Sequence, residues 1–160
     1  MSLRKIIIFS LFLAVWLFAG QAGAADRYWV ATSAANWDAT TTTNWSATSG
    51  GAGGASVPGN NDTVIFDGGT DGTKIGNCNH TAASNPAGLT ITAGYTGTLG
   101  GTVRLRIWGT GTPVSIASGA NPLTVKYVHY MPGSGNTANV TVAGATYNGA
   151  VTGQTTTASF

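Results

Sequence analysis

Three tryptophans, Trp29, Trp37 and Trp45, stand eight residues apart. Evenly spaced indoles on a β surface would stack on sugar rings, because an aromatic face matches the apolar C–H face of a pyranose. In a chain short of other bulky fillers, the same three residues are better suited to sealing the end of a core. Arg104, Arg106 and Trp108 alternate with Val103, Leu105 and Ile107. That period of two puts the first three on one outward strand face, where they would meet an acidic polysaccharide. Two Arg on an exposed strand also serve simply to keep an edge soluble. Trp29, Trp37, Trp45, Arg104, Arg106 and Trp108 are therefore the candidate sugar-binding residues.

The acidic side chains are fewer and offer less. Asp62, Asp67 and Asp71 lie with Asn60 and Asn61 in a Gly-rich stretch, and Ca²⁺ needs six to eight oxygen ligands. The segment Asp67-Gly68-Gly69-Thr70-Asp71-Gly72 occurs once and falls short of the nonapeptide Ca²⁺ repeat. Asp and Gly in turns account for it as well, so these three are a weak Ca²⁺ candidate and no metal site is expected. Glycoside cleavage needs one protonated and one ionised carboxyl group. The chain has no Glu, and Asp62 and Asp67 merely flank one strand signal. Cys78, His80 and His129 could supply a nucleophile or metal ligands, with Cys78 and His80 on one strand face. They lack a third orienting group, a motif and metal-ligand spacing. The Gly-Gly-Ala-Gly-Gly run is not followed by the Lys, Ser/Thr and helix of a phosphate loop. No catalytic residue, no cofactor and no enzymatic activity are expected.

What would position these residues is β structure. Gly (24) and Thr (25) fill nearly a third of the 160 residues, and charged residues make up 8%. Such a composition disfavours long helices, while 42% apolar content argues against disorder. Helical bundles, doubly wound α/β enzymes and nucleic-acid modules are excluded. Short β-type runs separated by Gly, Asn or Pro predict strands at Thr63–Phe66, Leu89–Thr92, Thr102–Trp108, Val114–Ala117, Leu123–Tyr130, Asn139–Val142 and Thr146–Val151. Val103, Leu105 and Ile107 would face a core. A spacing of about eight or nine residues between strands suits a β-sandwich or a β-solenoid. Beyond residue 24 there are four Leu, too few to fill a wide sandwich, so a narrow solenoid core is the expectation.

Residues 1–24 have the three parts of a secretory signal. Arg4 and Lys5 begin it, an apolar run from Ile6 to Ala19 follows, and Ala22-Gly23-Ala24 supplies the small residues of a cleavage site near Ala24 or Ala25. The apolar run is too short to span ~30 Å of hydrocarbon stably. The chain is thus expected to be secreted or at the cell surface, with no stable membrane span after cleavage. Without Arg4 and Lys5 the +2 charge disappears, leaving five acids and five bases, which is no footprint for nucleic acid. All the acids lie before residue 72 and all the remaining bases except Arg27 after it, a segregation suited to self-association. Cys78 is the single cysteine, so it is a buried small hydrophobe or a handle for an intermolecular bond.

The segment Tyr28-Trp29-Val30 … Asn36-Trp37-Asp38 … Asn44-Trp45-Ser46 is followed by Gly50-Gly51-Ala52-Gly53-Gly54-Ala55, Val57-Pro58 and Asp62-Thr63-Val64-Ile65-Phe66-Asp67. In this order it resembles the opening of large exported bacterial proteins with a right-handed parallel β-helix. Asn77-Cys78-Asn79 and the run from Leu89 to Leu99 resemble their first rungs. The resemblance implies a Trp/Gly-rich N-terminal cap over residues 25–62 and Gly/Thr-rich solenoid rungs over 63–160. Such proteins commonly run to many hundreds of residues, so the rungs would be truncated here. It also implies a structural or adhesin-like surface role, with self-association or downstream rungs of a longer chain as the partner. A carbohydrate-binding module detached from a polysaccharide-degrading enzyme is the alternative, with polysaccharide as its partner.

Overall fold

The computed structural model describes residues 23–109, 111–117, 124–130, 138–142, 150–153 and 156–159, the strands from 124 onward by backbone pairing alone. The expected signal segment up to residue 22, and Phe160, lie outside the described residues. The strands are β1 (Asp26–Trp29), β2 (Ala35–Trp37), β3 (Trp45–Ser46), β4 (Thr63–Phe66), β5 (Cys78–His80), β6 (Gly88–Ile91), β7 (Leu99–Ile107), β8 (Gly111–Ile116), β9 (Thr124–Tyr130), β10 (Ala138–Val142), β11 (Ala150–Gly153) and β12 (Thr156–Ser159). Among the described residues there is no helix.

From β4 onward the chain alternates between two sheets. One sheet has the order β12-β10-β8-β6-β4-β1-β3, the other β11-β9-β7-β5-β2. Every pairing is parallel except β1 with β3, so the first sheet is mixed. Each parallel neighbour is reached by way of a strand in the other sheet. Thr63 lies beside Gly88 and Leu89 beside Val114, a step of 25 residues from β4 to β6 and again from β6 to β8.

In-register steps stack like residues in columns. Val64, Leu89 and Val114 form one buried column, and Phe66, Ile91 and Ile116 another. Outside, Ile65, Thr90 and Ser115 form a half-buried row. The other sheet buries Cys78, Leu99, Leu105 and Ile107, while Asn79 Nδ2 donates to Asn36 Oδ1 (3.0 Å) on its exposed side. The β-branched and Leu residues thus fill a narrow interior, each contributing roughly 1.5–3 kcal/mol on full burial.

The N-terminal end is packed with aromatic rings. Trp29 and Trp45 face each other across the antiparallel pair β1–β3, with ring centroids 5.2 Å apart, edge to face. Trp37 meets Trp45 at 5.1 Å, and Phe66 joins Trp29 at 5.7 Å and Tyr95 at 5.0 Å. The Gly76 carbonyl accepts from both Trp29 Nε1 (2.8 Å) and Tyr95 Oη (2.8 Å). At the β3 edge, Gly54 N and Ala55 N both donate to the Trp45 carbonyl at 3.0 Å. Gly53 there lies so close to Thr43 that a Cβ would run into its carbonyl.

The expected span Thr63–Phe66 matches β4, and the later expected strands overlap β6 to β11 with shifted ends; residues 123 and 146–149 lie outside the described residues. Two expectations need correction. Strand β7 begins at Leu99, not Thr102, and Val103 is half-buried rather than in the core. Val103 lies at a register shift between Gly101 and Arg104 in the pairing with β9, a bulge in β7, and is still more buried than its neighbours Thr102 and Arg104.

Candidate functional site

A groove of about 220 Å³ opens where the loops after β2 and β5 meet the segment that leads into β4. Its polar wall is made by Asp38, Asn60, Ser84 and Asn85, and its apolar wall by Trp37, Val57, Pro58, Ala82 and Ala83. Hydrogen bonds fix each loop. Asp38 Oδ1 accepts from the amides of Thr40 and Thr41 (both 2.7 Å), and Oδ2 from Thr41 Oγ1 (2.7 Å). The Thr40 amide above all, then the Thr41 hydroxyl, pull the Asp38 carboxyl down to about pKa 2. Ser84 is held because its carbonyl accepts from Arg106 N (3.1 Å) on β7.

Behind Ser84 lies His80, fully buried and edge-on to Trp37 at 4.7 Å. His80 Nδ1 is 3.2 Å from the Val103 carbonyl and Nε2 is 2.9 Å from Ser84 Oγ. A carbonyl only accepts, so Nδ1 carries the hydrogen and Nε2 accepts from the Ser84 hydroxyl. Burial lowers the His80 pKa, partly offset by the Val103 carbonyl, and keeps the ring neutral at pH 7. With its hydrogen committed to His80, Ser84 offers lone pairs to the groove. Two amides, one ionised carboxylate and one accepting hydroxyl suit a neutral ligand rich in hydroxyl groups. Among the described residues the wall contains no cation, which disfavours phosphates and carboxylates.

The tryptophans expected as a sugar platform do not serve as one. Trp29, Trp37 and Trp45 have their rings in the core, and stacking needs an exposed face. Only Trp37 reaches the groove wall. Trp108, by contrast, is 41% exposed. Arg104 is exposed and Arg106 half-buried, on the side of β7 opposite Leu105. Their register neighbours on β9 are Tyr127 and His129.

The three aspartates are not gathered into a cation site. Asp62 Oδ1 accepts from Ala25 N (3.1 Å), and Oδ2 from Gly59 N (2.8 Å), with Arg27 Nε at 3.7 Å. Asp67 accepts from Gly69 N (2.8 Å) and Asp71 from Thr73 N (3.0 Å), each closing its own turn. Among the described residues no group of three or more His, Cys, Asp or Glu side chains comes together. Cys78 and His80 do share the inward face of β5. Burial pushes the Cys78 thiol pKa well up, which leaves it a poor nucleophile.

Sequence reasoning passed over Asp38, Asn60, Ser84 and Asn85 as a group. Their place in the groove depends on three segments between residues 38 and 85 being brought together, and no local period announces it. Among the described residues no helix is long and apolar enough to cross a membrane. The chain matches no known protein family, no curated protein and no solved structure.

Proposed function

We propose that this chain is an exported, non-catalytic parallel β-solenoid with a structural or adhesin-like role at the cell surface or outside the cell. The observation that carries the reading is the alternation between two sheets with parallel, in-register neighbours. A β-sandwich of comparable length is built from antiparallel neighbours joined by hairpins and Greek keys, so the strand order favours the solenoid over the sandwich. Right-handed winding follows from the strong preference of parallel crossovers. The aromatic packing at β1 to β3 acts as the cap, and the stacked strands beyond it act as rungs. Stacked parallel edges would be extended by downstream rungs or by a second copy. The resemblance of residues 28–125 to exported β-helix proteins, and the signal-like residues 1–24, support export.

The direct test is to express the full chain with a C-terminal epitope in a bacterial host and treat intact cells with protease. The epitope is expected in the medium or lost from the cell surface. Protection inside the cytosol would overturn the reading.

Saccharide binding is a second reading, favoured by the hydroxyl-matching wall of the groove and by exposed Trp108 and Arg104. Titration with neutral monosaccharides and with polygalacturonate separates the two surfaces. Asn85→Ala would weaken the first ligands and Arg104→Ala the second. No binding of either at millimolar concentration removes this reading.

A further inference from the structure

We propose that the chain is processed between Ala24 and Ala25, and that the ammonium group so released pairs with the buried carboxylate of Asp62. The proposal rests on the reading of residues 1–24 as an export signal, and adds where the cut falls and what the new terminus does.

The backbone changes character at this bond. Gly23 and Ala24 are exposed, whereas Ala25 is half-buried against the start of β4. Ala25 is held from both of its backbone groups: its nitrogen lies 3.1 Å from Asp62 Oδ1, and its carbonyl accepts from Thr63 N at 3.0 Å. Asp62 is only 7% exposed. Its Oδ2 is engaged by Gly59 N and faces Arg27 Nε, so Oδ1 turns to Ala25. In the uncut chain that donor is a neutral amide.

Hydrolysis of the Ala24–Ala25 bond gives the hydroxyl of water to the Ala24 carbonyl and a hydrogen to the Ala25 nitrogen. The amine then takes a proton from solvent at neutral pH. The same nitrogen, at the same place, becomes a charged donor, so a hydrogen bond from a neutral amide to the carboxylate becomes a hydrogen-bonded ion pair. The buried carboxylate also gains a second counter-charge beside the Arg27 guanidinium. A cut one residue later would remove both the donor to Asp62 and the acceptor for Thr63. Of the two positions that the small-residue pattern leaves open, a cut after Ala24 is the one whose product keeps both contacts, and signal removal there latches the first strand onto β4.

The test begins with the full chain exported by a bacterial host, its N-terminus read by sequencing and intact mass. The α-amine is then titrated by pH-dependent acetylation, natively and in urea, for wild type, Asp62→Asn and the exposed Asp71→Asn. The expected chain begins at Ala25. Its α-amine should titrate about one unit or more above the ordinary ~7.7–8.0, with the shift kept in Asp71→Asn and lost in Asp62→Asn and in urea. The wild-type comparison with urea decides the matter even if Asp62→Asn does not fold. A chain exported but beginning at Asp26, or an ordinary α-amine on a chain beginning at Ala25, overturns the pairing while export stands. A chain kept inside the cell with Met1 intact overturns both.

Discussion

His80 sits in the interior as a neutral ring between the Val103 carbonyl and the Ser84 hydroxyl. Because burial depresses its folded pKa below 6.5, the unfolded chain binds more protons in that range. Stability should therefore be level for this group above about pH 6.5 and fall as pH drops below it, by at most ~1.4 kcal/mol per pH unit. Urea unfolding of wild type and His80→Gln at pH 7, 6 and 5 checks this. The variant is expected to be less stable at pH 7 but to lose the slope, and an unchanged slope would contradict the assignment. At this scale the sequence is legible in part. Alternation puts Cys78 and His80 on one face of β5, and both are buried. Ser84 as the partner of His80 was not legible, since it lies in a loop whose position depends on β7. The tryptophan spacing admitted a surface platform or a buried seal, and only packing against Phe66 and Tyr95 distinguishes them.

Strands that carry their own apolar alternation are the ones that sequence reveals. Thr63–Phe66 matches β4, whereas β1, β2, β3 and β5, of two to four residues, are defined by what they pair with. Leu99-Gly100-Gly101 reads as turn punctuation, yet it pairs with Cys78, Asn79 and His80. Gly101 makes that possible: its φ of 150° lies where side chains are rare, and a Cβ would run into the His80 carbonyl. Gly101→Ala should cost ~1–3 kcal/mol. Gly72→Ala also sits at positive φ (69°) but meets open space, so it should cost only about 1 kcal/mol. Equal midpoints for the two variants in urea would contradict the close approach of β5 and β7.

For the molecule as a whole, composition pointed to β structure and the four Leu to a narrow interior, and the two-sheet winding adds the order in which strands meet. That order was not legible, because the coil step of 25 residues between Thr63, Gly88 and the following turn carries no sequence repeat. Register is enforced instead by burial: a slip of one residue would turn Leu89 and Ile91 out and Thr90 in. The central claim is that strands two apart in sequence are parallel neighbours. Backbone NMR of the chain beyond residue 24 tests it most directly. Parallel winding predicts amide-to-Hα contacts linking Ile65 to Thr90 and Thr90 to Ser115. Close Hα–Hα contacts between strands consecutive in sequence, such as β6 with β7, would instead show antiparallel hairpins and contradict the proposed solenoid.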